Sequence, residues 1–201
     1  MIKLIFENTE IHAPVIPWGG VVFRVVPKKE YQDANPRSLL HVSSELNRCN
    51  APGIECLYAS FEAKTSEVEY RFHVPTGDIH QFIARAHCRA LLDLRNPDSW
   101  LPFGLDDKDF YAPFDRRFKR KEVLPLHRIG AAIAGGNLSE SSRLSPLRPV
   151  TGIVFPSNAM HRNGETGTNI AFFKRAFQNP DYLMPVNQER DLQPTIADQW
   201  P

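Results

Sequence analysis

Five polar side chains in this sequence have types suited to acting together on one ligand: Arg24, Arg48, Tyr58, Glu69 and Ser157. Two guanidiniums can grip a diphosphate bidentately, a phenol ring can stack on a flat heterocycle, and a carboxylate can bind the hydroxyls of a ribose. That inventory suits a dinucleotide. Taken singly, each residue is more often structural. Arg24 can lie on an edge strand with its head in water, and Glu69 can be the buried ion-pair partner of Arg24 or Arg48.

The elements that must position these groups are legible in outline. Val21-Val22-Phe23-Arg24-Val25-Val26, closed by Pro27, reads as a buried strand that carries Arg24. Residues 28–53 have weak periodicity and many turn formers. They read as a long loop, with at most a helical turn near Leu39 and Leu40, that carries Arg48. Ile54 to Ser60 reads as a second strand, bearing Tyr58. A helix capped by Ser60 is expected next, with Phe61, Lys64 or Thr65, Val68 and Phe72 on its apolar face and Glu69 beside that face.

Residues 79–94 read either as an amphipathic helix or as a strand entering at Ala90 to Leu94; the strand is preferred. Asn96-Pro97-Asp98 then starts a turn or helix, and Gly104 to Tyr111 reads as a polar loop with aromatic anchors. Leu126 to Ala134 is expected to be a helix ending at Gly135-Gly136, and 137–149 a surface excursion. Thr151 to Asn158 reads as a strand ending in the polar turn that holds Ser157. Asn169 to Phe173 reads as another strand, and the chain from Asn179 as a polar, proline-bearing tail. Prolines number 17 in 201 residues, above the usual ~5%, and those of the first half favour strands and ordered loops over long helices.

Composition removes several classes of function. With 201 residues and 42% hydrophobic content the chain can fill a core. Lys and Arg number 24 against 23 Asp and Glu, so the net charge of +1 creates no chain-wide field toward nucleic acid or an anionic membrane. The dense basic run Arg116, Arg117, Lys119, Arg120, Lys121 reads as a solvated face or as a local contact for a phosphate or acidic partner. No membrane-length apolar run occurs, and Glu7 interrupts the N-terminal apolar residues, so a cytoplasmic protein is expected. Three cysteines without CxxC spacing argue against a disulfide framework or structural zinc, and seven scattered histidines argue against a metal site. GxGxxG, Walker A, HExxH and GxSxG are all absent.

The ordered combination of short motifs over about residues 21–175 resembles the RES-domain family. The motifs are Val22-Phe23-Arg24; Asn47-Arg48-Cys49-Asn50-Ala51-Pro52-Gly53; Leu57-Tyr58-Ala59-Ser60 with Glu69 eleven residues after the tyrosine; Leu91-Leu92-Asp93-Leu94; Phe103-Gly104-Leu105; His127 to Ala132; and Gly152 to Ser157 before Asn169 to Phe173. Members are bacterial toxins of toxin–antitoxin pairs. The resemblance implies a single mixed α/β (α+β) domain over 1–201, with an ADP-ribosyltransferase-like β-core flanked by helices and a polar tail at 176–201. It implies cleavage of the nicotinamide–ribose bond of NAD as substrate, without metal. Glu69, Arg24 and Ser157 would be catalytic, and Arg48, Tyr58 and Asn50 would bind the substrate. The expected partner is a cognate antitoxin of helix-turn-helix type, with no membrane or direct nucleic-acid binding. ADP-ribosyl transfer to a protein, or an inactive nucleotide-binding module, is the alternative. The chain departs from the family at Leu46-Asn47-Arg48-Cys49-Asn50, where two glycines and a tryptophan are usual. At Val123-Leu124-Pro125-Leu126 it lacks the hydroxyl that some members have.

Overall fold

The computed structural model describes residues 2–30, 40–112, 124–140, 148–186 and 200. The strands are β1 (Ile2–Phe6), β2 (Thr9–Ala13), β3 (Val15–Pro27), β4 (Cys56–Ser60), β5 (Ile79–Asp93), β6 (Ser139–Glu140), β7 (Arg148–Pro149), β8 (Gly152–Pro156), β9 (Thr168–Phe173) and β10 (Tyr182–Val186). The helices are α1 (Ala63–His73), α2 (Asp107–Tyr111), α3 (Pro125–Ala134) and α4 (Asn158–Arg162). Six strands form the central sheet in the order β10-β5-β3-β4-β9-β8, and β2-β1-β6-β7 form a smaller one. The result is a mixed α+β domain, a β-core with helices around it.

The long pair β3 and β5 runs antiparallel from Val15 opposite Leu92 to Pro27 opposite Ile79. Between the pairs Ile16–Leu91 and Trp18–Cys88, β5 takes three steps where β3 takes two, so β5 carries one extra residue. Such a bulge reverses which face each later side chain meets. Phe82, Ala84, Ala86 and Cys88 join one apolar cluster, whereas Ala90, Leu92 and Leu94 join the other. This interruption explains the ambiguous pattern of 79–94, which is one strand over its whole length rather than a strand only at its end. Beyond the bulge, β5 pairs in parallel with β8, so the sheet curls round from β3 through β4, β9 and β8 back to β5.

Other expectations are corrected. The strand through Arg24 is longer than Val21–Val26, and Val21 is exposed. On α1 the buried residues are Thr65 and Ser66, not an apolar stripe, and Phe72 is 44% exposed. The inner face of that helix is satisfied by hydrogen bonds instead: Gln81 Nε2 donates to Ser66 Oγ and to the Ala63 carbonyl. Glu62, not Ser60, occupies the N-cap position. Gly104 to Tyr111 is no loop. Gly104 adopts the left-handed conformation that ends a 3-10 turn, and Asp106 and Asp109 then form a reciprocal capping box that starts α2.

The polar tail expected from 176 onward contains an edge strand, β10, paired with Ile83 to His87 of β5. It is fastened by the fully buried Asp181, whose carboxylate accepts from the backbone N–H, Nε and Nη2 of Arg89 at 2.8, 3.2 and 3.1 Å. The basic run 116–121 and most of the excursion 141–147 lie outside the described residues, as does Leu39.

Candidate active site

Strands β3 and β4 are neighbours that barely touch. They meet at one paired position, Phe23 opposite Ser60, whereas β4 pairs with β9 at five. Beyond that point they splay, and the gap is a cleft of about 480 Å³, within the ~300–1,000 Å³ typical of small-ligand sites. Arg24 from β3, Arg48 from the loop, Tyr58 from β4 and Glu69 from α1 all line it. Residues far apart in sequence thus meet because two strands diverge.

Glu69 is held from one side. Its Oε1 accepts from Ser157 Oγ at 2.6 Å, from Asn169 Nδ2 at 2.7 Å and, more weakly, from the Ala159 amide at 3.4 Å. The donors are neutral, unlike the arginine partner anticipated for Glu69 as a structural ion pair. Crowding of all three bonds onto Oε1 leaves Oε2 for a ligand. Asn169 is oriented in turn by Ser60, whose hydroxyl donates to its Oδ1 at 2.8 Å. Because a carboxylate only accepts, the Asn169 amide must present its NH₂ to Glu69 and its oxygen to Ser60. Ser157 does two things at once, since its Oγ also accepts from the Met160 amide at 3.1 Å and caps α4. Ser157 is buried and acts on the cleft through Glu69.

The arginines hold to backbone. Arg24 Nη1 donates to the His41 carbonyl at 2.8 Å, and Arg48 Nη1 to the Asp109 carbonyl at 2.6 Å. Both are half-buried in the cleft wall, positioned where an anion would meet a guanidinium of restricted rotamer.

The loop around Arg48 is held by side-chain hydrogen bonds. Tyr58 Oη donates to Asn50 Oδ1 and accepts from the Cys49 amide, both at 2.8 Å. Burial, with the neighbouring Cys56 and Cys49 thiols, holds the Tyr58 phenol well above its usual range, so it remains a donor. Asn50 Nδ2 donates to the carbonyls of Glu45 and Ile54 at 2.7 and 3.1 Å. Asn50 is therefore fully buried and committed to the loop, a correction to its expected contact with substrate. From the far side, His127 Nε2 lies 2.8 Å from the Asn47 carbonyl while its Nδ1 faces the Leu124 amide at 3.3 Å. Helix α3 approaches so closely that a Cβ on Gly130 would lie 2.0 Å from the Cys49 carbonyl oxygen.

The cleft thus gathers Arg24, Arg48, Tyr58 and Glu69, with Ser157 one hydrogen bond behind, and excludes Asn50. Sequence reasoning missed the roles of Ser60 and Asn169 behind Glu69, although both lie within the ordered motifs. It also missed Phe72 at the cleft mouth, with the Arg162 guanidinium 4.9 Å above its ring, and Asn158 in the wall. Among the described residues no three His, Cys, Asp or Glu side chains gather as a metal-binding group, and no helix is long and apolar enough to cross a membrane.

The RES domain, as a family, matches residues 21–193 of this chain. No curated protein matches by sequence. Among solved structures, the chain is similar to one described as the crystal structure of the M. tuberculosis MbcT-MbcA toxin-antitoxin complex. The TM-score is 0.53 at 15% identity, over 86% of this chain and 84% of that one, a likeness of fold.

Proposed function

This chain belongs to the RES-domain family, and on that premise we propose that it is a toxin enzyme that cleaves the nicotinamide–ribose bond of NAD and is neutralised by a cognate antitoxin. The observation that carries the reading is Glu69: a carboxylate in the wall of a ligand-sized cleft that two arginines also line, with Oε1 fixed by Ser157 and Asn169 and Oε2 left over.

Loss of nicotinamide builds oxocarbenium character on the ribose. A carboxylate already oriented beside that ribose stabilises the positive charge as it moves off the pyridinium ring onto the ribose, and stabilises the ground state, in which that charge still sits on the nicotinamide, less. Glu69 supplies it and binds a ribose hydroxyl through Oε2. Ser157 and Asn169 are positioning residues that spare Glu69 a costly reorientation during the reaction. Arg24 and Arg48 hold the diphosphate, and the ring of Tyr58 walls the nicotinamide end while its hydroxyl secures the loop. The antitoxin partner draws support from family membership and from the fold shared with a toxin crystallised with its antitoxin.

Purified chain incubated with NAD tests the proposal. Release of nicotinamide is expected, and the ribose product, analysed with and without added inorganic phosphate, identifies the acceptor. ADP-ribose on a protein instead would establish the transferase alternative. Saturable NAD binding without turnover would establish an inactive binding module.

A further inference from the structure

Asn158 stands between Ser157 and Ala159, two of the three residues whose groups bind Glu69 Oε1, and it lines the cleft. Only 7% of it is exposed, and its Oδ1 is buried with no hydrogen-bond partner among the described residues. A buried amide oxygen is normally paired, and an orphan weighs against the folded state. A capping role does not account for it, because Ser157 already caps α4 through the Met160 amide.

Resting on NAD as the substrate, we propose that Asn158 is a substrate-binding residue whose carboxamide takes the hydroxyls of the ribose that docks against Glu69. The chemistry follows from position and charge. Arg24 and Arg48 provide the cations a diphosphate needs. Asn158 is neutral, adjacent to the carboxylate, and carries both a donor and an acceptor. A ribose hydroxyl likewise donates and accepts. The torsion that turns the amide is broad and roughly two-fold, so a half-turn presents Oδ1 or Nδ2 to the cleft as the ligand requires. Oδ1 is enclosed and unpaired in the structure, so no internal hydrogen bond holds the amide against that half-turn.

The test uses the Glu69→Gln protein, which should bind NAD without consuming it, alone and combined with Asn158→Ala. Calorimetric titration with NAD and with ADP-ribose, and thermal melting, are measured on both. Asn158→Ala is expected to weaken NAD and ADP-ribose alike by about tenfold, with no fall in melting temperature because no internal hydrogen bond is lost. Asn158→Leu, of similar size without polar atoms, gives the same result if alanine lets the wall collapse. Unchanged affinity overturns the inference. So does a loss confined to NAD, which would place the contact on nicotinamide, or a drop in melting temperature with affinity intact. Failure of the Glu69→Gln protein itself to bind either ligand overturns the NAD reading along with it.

Discussion

Ser157 Oγ donates to Glu69 Oε1 at 2.6 Å, a bond between positions 88 residues apart. It joins the end of β8 to α1 behind the cleft wall. Folding of the sheet and orientation of the carboxylate are therefore one event, and perturbing the serine should be felt in both.

Ser157→Ala removes the cap of α4 and a donor to Glu69 together. Loss of the cap should cost about 1 kcal/mol in stability. Loss of orientation should lower kcat by about 10-fold or more with KM little changed, since the serine acts on the carboxylate rather than on substrate. Chemical denaturation and steady-state kinetics separate the two. A stability loss with kcat intact would make Ser157 a cap alone.

Tyr58→Phe keeps the ring in the cleft wall but strips Asn50 Oδ1 and the Cys49 amide of their partner. Leaving such buried groups unpaired should destabilise the protein by about 1–3 kcal/mol. Affinity of the folded protein for NAD should stay within a few-fold of wild type. A large affinity loss at unchanged stability would mean that the hydroxyl contacts substrate directly.

Gly130→Ala probes the far side of the same loop. A methyl group 2.0 Å from the Cys49 carbonyl oxygen and 3.0 Å from the Phe173 ring must push the loop away from α3. Overpacking of this kind costs about 1–3 kcal/mol, and displacement of Arg48 should weaken NAD binding as well. Melting and binding measured on this variant are expected to fall together; wild-type affinity would show that Arg48 does not depend on that contact.

Legibility in the sequence followed the locality of the signal. The strands around Arg24, Tyr58 and Ile153 were readable because short apolar runs are bounded by proline, glycine or serine. Helix α3 was readable from its small and apolar residues before Gly135-Gly136. The face of α1 was not, because Thr65 and Ser66 are buried by hydrogen bonding, so hydrophobic spacing pointed at Phe72, which is exposed. The segment Ile79 to Cys88 alternates as a strand, but the bulge beyond Cys88 shifts the alternation by one residue, so no single period runs through 79–94. In the site, Glu69, the arginines and Tyr58 came from ordered motifs. Asn169 and Ser60 are ordinary strand residues whose roles exist only once β4 and β9 pair, placing Ser60 opposite Asn169.

The central claim is that the Glu69 carboxylate drives cleavage of NAD, and Glu69→Gln compared with wild type for nicotinamide release tests it most directly. Its three donors are neutral, and the glutamine oxygen still accepts from Ser157 and Asn169, so none of them is left as an unpaired buried charge. The variant is expected to melt close to wild type, to retain much of its NAD affinity, and to lose turnover by about 10²-fold or more. A stability loss of about 3–5 kcal/mol would mark Glu69 as a structural ion-pair partner instead. A variant that melts like wild type and releases nicotinamide at the wild-type rate would contradict the claim and remove Glu69 from the catalytic site.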